Sequence, residues 1–162
     1  MNNSFGTDEY IDYIINKYSS MLIRLAFTYT KSMADAEDAV QDVYIKLIQR
    51  GRGFESEEHE KAWLIRVTIN TCKNRLKSSW NRYHVPLDEE ISYLPEEESG
   101  VLSVVMKLPQ KYRTIIHLFY YEDYSINEIA ALLKRSPATV GTWLSRGRKL
   151  LKNELQGGFD YE

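Results

Sequence analysis

Residues 125–152 read SINEIAALLKRSPATVGTWLSRGRKLLK. Ser125 and Glu128 have capping-box spacing, a hydroxyl at the N-cap and a carboxylate three residues on. Ile126, Ile129, Ala130 and Leu133 then recur on one helix face. Lys134-Arg135 make a short turn. Ser136 stands as a second N-cap, and Pro137 takes the first helical position, where its missing N–H costs nothing. Val140, Leu144, Gly147 and Leu151 give the next helix its inward face. Two short helices, a tight turn and a small residue, Ala130, where they cross describe a helix-turn-helix. The outer face of its second helix carries Thr139, Thr142, Ser145, Arg146 and Lys149. Such a helix fits a major groove, with its start at base edges and its cations on phosphates. A solvated basic helix on a small bundle is the alternative for this segment alone.

That segment's charge is part of a wider segregation. The chain has 162 residues and a net charge of −2, yet Lys134–Lys152 holds six bases and no acid. Lys61–Arg82 holds another six bases and no acid, and Asp88–Glu98 between them holds six acids and no base. Blocks of this kind mark interaction surfaces or solvated tails. With 43% hydrophobic residues the chain is expected to fold rather than stay disordered. The N-terminus has no signal-peptide pattern, and no apolar run approaches the roughly 20 residues that span a bilayer. Cys72 is the single cysteine, which excludes an internal disulfide and a cysteine-cluster metal site. A cytoplasmic protein is expected, with no cofactor and no membrane insertion.

Upstream, the apolar residues keep helical spacing. Ile11, Ile14, Tyr18, Leu22, Leu25 and Tyr29 form one stripe, and Ala36, Val40, Val43 and Leu47 a second, capped by Ser32 with Asp35. GRGF at 51–54 breaks it. A third stripe is Ala62, Ile65, Ile69, Cys72 and Leu76. Beyond a Pro- and acid-rich stretch come Val101, Val104, Val105 and Leu108, then Tyr112, Ile115, Ile116 and Phe119. No period-two strand is visible. The expected fold is all-α: two small helical domains, 1–82 and 100–162, joined by a flexible acidic linker, 83–99, with the helix-turn-helix in the second.

Opposite its core stripe the third helix carries Trp63, Arg66, Asn70, Lys73 and Lys77, spaced three, four, three and four apart. Cations that track phosphates, a ring that stacks and an amide that reads a base edge suit single-stranded nucleic acid. For Trp63 by itself, core packing is an equal reading. The second helix offers Asp38, Gln41, Asp42 and Ile45 on its outer side, a face for a protein partner or an ordinary solubilising one.

In this order the segments resemble a bacterial RNA polymerase sigma factor of the extracytoplasmic-function (ECF) group of the sigma-70 family. DAEDAVQDVYIKL (35–47) resembles the group's core-polymerase-binding helix. AWLIRVTINTCKNRLKS (62–78) resembles its promoter-melting and −10-reading helix. The stretch 108–151 resembles its −35-reading domain. The match runs from about Tyr10 to Leu155. It implies that Asp38, Gln41, Asp42 and Ile45 dock on the clamp of the largest subunits of core RNA polymerase. It implies that Asn70 contacts a flipped-out base of the non-template strand, with the loop from Arg52 to Glu60 completing the pocket. Arg66, Lys73 and Asn74 would contact the strand near the melted region. Thr142, Ser145 and Arg146 would meet −35 bases, with Arg148 and Lys149 nearer the backbone. The linker would thread toward the active cleft. Housekeeping members carry a longer inhibitory N-terminal extension; without it, an anti-sigma factor clamping both domains is the expected control.

Some positions depart from the group. Gly141 stands where a basic residue is usual, Trp143 where arginine is frequent, Ala138 in place of a glycine, and Lys134 where glycine is common in the turn. Trp143 is open to three uses: stacking on sugar, packing on a thymine methyl, or covering a hydrophobic neighbour. Nothing nominates an enzyme: His59, His84 and His117 are far apart, and no nucleophile motif or phosphate-binding glycine loop occurs. Rival readings are a helix-turn-helix transcriptional regulator on duplex operator DNA, which leaves the Trp63–Lys77 face unexplained, and a helical protein-interaction module.

Overall fold

The computed structural model describes residues 8–79 and 103–159, all helix and connecting turns with no strand among them. The acidic linker at 83–99, Val101 and the boundaries on either side lie outside the described residues. The chain divides into two compact units, Met1–His84 and Val85–Glu162.

In the first unit, α1 (Asp8–Thr30), α2 (Met33–Arg50) and α3 (Glu57–Ser79) pack pairwise into a three-helix bundle. Ile14, Leu22, Leu25 and Phe27 of α1, Val43 and Leu47 of α2, and Leu64, Ile65 and Ile69 of α3 fill the core. Ser32 caps α2, accepting from the Asp35 N–H at 3.2 Å. Gly51, at φ 65°, ends α2 in the left-handed conformation that favours glycine. The buried arc of α3 is wider than the stripe read from sequence. Leu64, Thr68 and Thr71 are buried, while Ala62 and Leu76 are only half-buried. A helix wedged between two others buries more than one stripe. Thr68 belongs inside because its hydroxyl donates to the Leu64 carbonyl at 2.7 Å.

In the second unit a short helical turn at 103–105 precedes α4 (Gln110–Ile116). A π-helical segment, His117–Tyr121, continues it. Then come α5 (Ile126–Leu133) and α6 (Pro137–Phe159). The capping box is formed on both sides, and Ser136 Oγ accepts from the Thr139 N–H at 3.1 Å. α6 is not short: it spans 23 residues, because no proline interrupts it after Leu151 and it runs on through the glycine pair at 157–158. On α5, Leu132 is buried and Leu133 only half-buried. His117 is a packed side chain, 2% exposed, stacked on Tyr121.

Two features set where the helix-turn-helix sits. Gly147 lies against α4: a Cβ there would be 3.0 Å from Ile116 Cδ1 and 3.3 Å from Tyr112 Cβ. Lys134 holds the turn at φ 56°, ψ 46°, the strained left-handed region for a non-glycine. Lys134→Gly relieves roughly 1–2 kcal/mol of crowding and adds roughly 0.5–1 of unfolded-chain freedom, a net gain of about 0.5 kcal/mol. A small rise in this unit's urea midpoint checks it.

Candidate nucleic-acid and protein interfaces

The α3 strip is open. Asn70, Lys73, Asn74 and Lys77 are exposed, and Trp63 and Arg66 are half-buried. Both readings of Trp63 have a share, since one side of the ring is packed. Phe54 meets it with centroids 5.6 Å apart, and the Arg50 guanidinium lies 5.4 Å from it and 4.4 Å from Phe54. Phe54 also meets His59 edge-on at 5.2 Å, and the His59 Nδ1 accepts from the Glu55 N–H at 3.3 Å. The 51–56 loop is thus folded back onto the start of the strip. Sequence reading placed the loop there but missed Arg50 and Phe54, the residues that hold it.

On α2, Asp38, Gln41 and Ile45 are exposed and Asp42 is half-buried. Ile45 is 52% exposed, and Ile48, which sequence reading passed over, is 50% exposed. The two lie one turn apart on the face that also carries Asp38 and Asp42. Arg75 of α3 pairs with Asp42 at 2.8 Å and lies 3.6 Å from Asp38.

On α6, Thr142, Ser145, Arg146 and Lys149 are exposed, and Thr139 is half-buried, its hydroxyl accepting from Ser136 Oγ at 2.9 Å. Arg148 points elsewhere. Its Nε donates to the Tyr120 hydroxyl at 2.6 Å, and its guanidinium lies over Phe119 and Tyr120 at 5.1 and 5.6 Å. Trp143 is half-buried beneath two cations, Lys111 Nζ at 5.1 Å and the Arg135 guanidinium at 5.6 Å. A Cβ at Gly141 would meet nothing within 4 Å, so packing does not demand glycine there.

Two family patterns match in series: Sigma-70 region 2 over residues 14–82, and Sigma-70, region 4, over 100–151. The chain belongs to the sigma-70 family, in its ECF group. It is a sigma factor, the component that joins core RNA polymerase and directs promoter recognition and transcription initiation. It is 29% identical over 147 residues to RNA polymerase sigma factor SigV of Bacillus subtilis, spanning 87% of this chain and 88% of that one. To the ECF RNA polymerase sigma factor SigW of the same organism it is 26% identical over 165 residues, covering 88% and 87%. Two solved structures share its fold. The sigma factor RpoE from Bartonella quintana, in complex with the anti-sigma factor NepR, matches with TM-score 0.68 at 19% identity, covering 93% of this chain and 98% of that one. CnrH, in complex with the cytosolic domain of CnrY, matches with TM-score 0.67 at 21% identity, covering 94% and 91%.

Among this sigma factor's described residues, no helix is long and apolar enough to cross a membrane, and no His, Cys, Asp and Glu cluster could hold a metal. The start of α3 holds one feature that the stripes did not reveal. Glu60 is buried and accepts from the Tyr10 hydroxyl at 2.9 Å and the Tyr18 hydroxyl at 3.0 Å. It joins Tyr10, Tyr13, Gly53, Phe54, Ser56 and Glu57 around a cleft of about 320 Å³. Burial, then the Glu60 carboxylate, pushes the Tyr18 phenol up to about 12, and burial with the Glu60 hydrogen bond drives Tyr10 upward as well. The fold therefore favours the protonated phenols. Their contribution is whole below the ordinary phenol value of about 10 and is lost as pH rises toward 12. Urea midpoints of the first unit should fall between pH 9 and pH 11.5 more steeply in the parent than in Tyr18→Phe, a comparison that checks it directly.

Proposed function

We propose that residues 1–82 serve polymerase binding, −10 recognition and melting, that 83–99 link, and that 100–162 read the −35 element. In this reading Asp38, Gln41, Asp42 and Ile45, joined by Ile48, dock on the polymerase clamp. Trp63, Arg66, Asn70, Lys73, Asn74 and Lys77 take the non-template strand. The open row from Asn70 to Lys77, on the helix matched by region 2, is the observation that carries it. An exposed amide amid cations suits an extruded base between phosphates. Thr139, Thr142, Ser145, Arg146 and Lys149 read or grip the −35 duplex. Arg148, braced against Tyr120, supports that helix and reaches the DNA backbone only by leaving the ring.

The protein acts without catalysing a reaction itself and works in the cytoplasm, where polymerase and promoter DNA are. An anti-sigma factor holds it inactive. Two relatives of the same fold bound to such inhibitors, or to a partner's cytosolic domain, support that control. The test is reconstitution: purified protein, core polymerase and a promoter library. Specific initiation that depends on the protein is expected. Binding to duplex alone, with no initiation, would turn the reading into that of a conventional operator-binding regulator.

A further inference from the structure

We infer that Arg75 is a positioning residue for polymerase docking, an inference that rests on the reading of the α2 face as the docking surface. One guanidinium reaches across from α3 to two carboxylates a helical turn apart on α2. Nη1 lies 2.8 Å from Asp42 Oδ2, and Nη2 lies 3.6 Å from Asp38 Oδ2. A planar fork meets the two groups through separate, rigidly spaced donors, a geometry that a point-like ammonium does not reproduce. None of the three side chains is buried: 36% of Arg75, 43% of Asp42 and 59% of Asp38 is open to solvent. Ion pairs this open add little to stability, so holding the fold together is a poor account of the arrangement.

Its effect is geometric. Arg75 hydrogen-bonds Asp42 Oδ2 and holds Asp38 Oδ2 within ion-pair reach, which narrows the rotamers open to both carboxylates before a partner arrives. Carboxylates ordered before docking lose less freedom when the partner arrives. The next turn of the same seam repeats the tie: Lys46 Nζ donates to Thr71 Oγ1 at 2.8 Å. The docking face of α2 is therefore indexed to α3, the helix that carries Asn70. Arg75 lies on the opposite side of α3 from the Trp63–Lys77 row, so it acts on docking rather than on DNA.

A binding cycle tests this with full-length protein and core polymerase, at temperatures well below each variant's measured unfolding transition. Arg75→Gln is expected to weaken core affinity about fivefold. Arg75→Lys, which keeps the charge and can meet one carboxylate, recovers part of that loss. In an Asp38→Asn, Asp42→Asn background, Arg75→Gln changes affinity by less than about twofold, because the groups it acts through have lost their charge. Parental affinity for Arg75→Gln, beside weak binding by the double aspartate variant, overturns the inference about Arg75 alone. Parental affinity for the double aspartate variant overturns the docking-face reading itself. A full fivefold loss that persists without the carboxylates makes Arg75 a direct contact or a fold element and overturns the positioning role.

Discussion

Asn70→Ala is expected to slow promoter opening by roughly 5–150-fold, the equivalent of about 1–3 kcal/mol for a lost amide–base contact. Core polymerase affinity should stay within about twofold, since the residues proposed for docking on α2 are untouched. The side chain is exposed at the middle of the open row, so alanine leaves no cavity and breaks no buried contact. Alanine also favours the helix, which removes unfolding as a cause of any loss. Unstacking a base costs a few kcal/mol, and whatever receives it must return most of that. A fluorescent base analogue in the melted strand reports opening, and a binding titration with core polymerase supplies the control. Equal opening by mutant and parent would remove Asn70 from the strand-capture set. A loss shared equally between opening and core affinity would point to α3 itself rather than to its amide.

Gly147→Leu is expected to destabilise the second unit by at least about 3 kcal/mol, the upper range for overpacking a core. Elsewhere in a helix, glycine to a larger residue gains roughly 0.5–1 kcal/mol. Here the first added atom already stands 3.0 Å from Ile116 Cδ1 and 3.3 Å from Tyr112 Cβ, and three more must follow. Ile116 is 2% exposed and Tyr112 8%, so neither has open space to retreat into. α6 must lift from α4, and Thr142, Ser145 and Arg146 lose their common aim. Calorimetry should show an early transition for the second unit, and initiation should lose its dependence on the −35 element. Gly141→Leu is the matched control, because a side chain there enters open space. Similar melting for the two variants would mean that the α4–α6 contact is not tight.

The local features of this fold were legible in the sequence. Ser32, Ser125 with Glu128, and Ser136 cap the helices they were expected to cap, because a cap depends only on residues three or so apart. The left-handed conformation of Lys134 was not legible in that way: only the frequency of glycine at that turn in the resembling group pointed toward it. The rows on α2, α3 and α6 were legible too, since exposure on an amphipathic helix follows its period. What stayed hidden joins residues far apart. Tyr10 and Tyr18 reach Glu60, Arg75 reaches Asp42, and Arg148 turns back to Tyr120. No spacing rule links such partners. One clue was present: Glu60 stands four residues before buried Leu64, an acid in line with core residues, and such an acid needs a donor.

Trp143 sits within 6 Å of the cationic groups of Lys111 and Arg135, both on the unit proposed to read the −35 duplex. Phosphates that draw those cations off the indole change its surroundings at once. The emission of this one ring therefore offers a built-in optical gauge of duplex capture, needing no attached dye. The chain has three tryptophans, so Trp63→Phe with Trp80→Phe leaves that signal without interference.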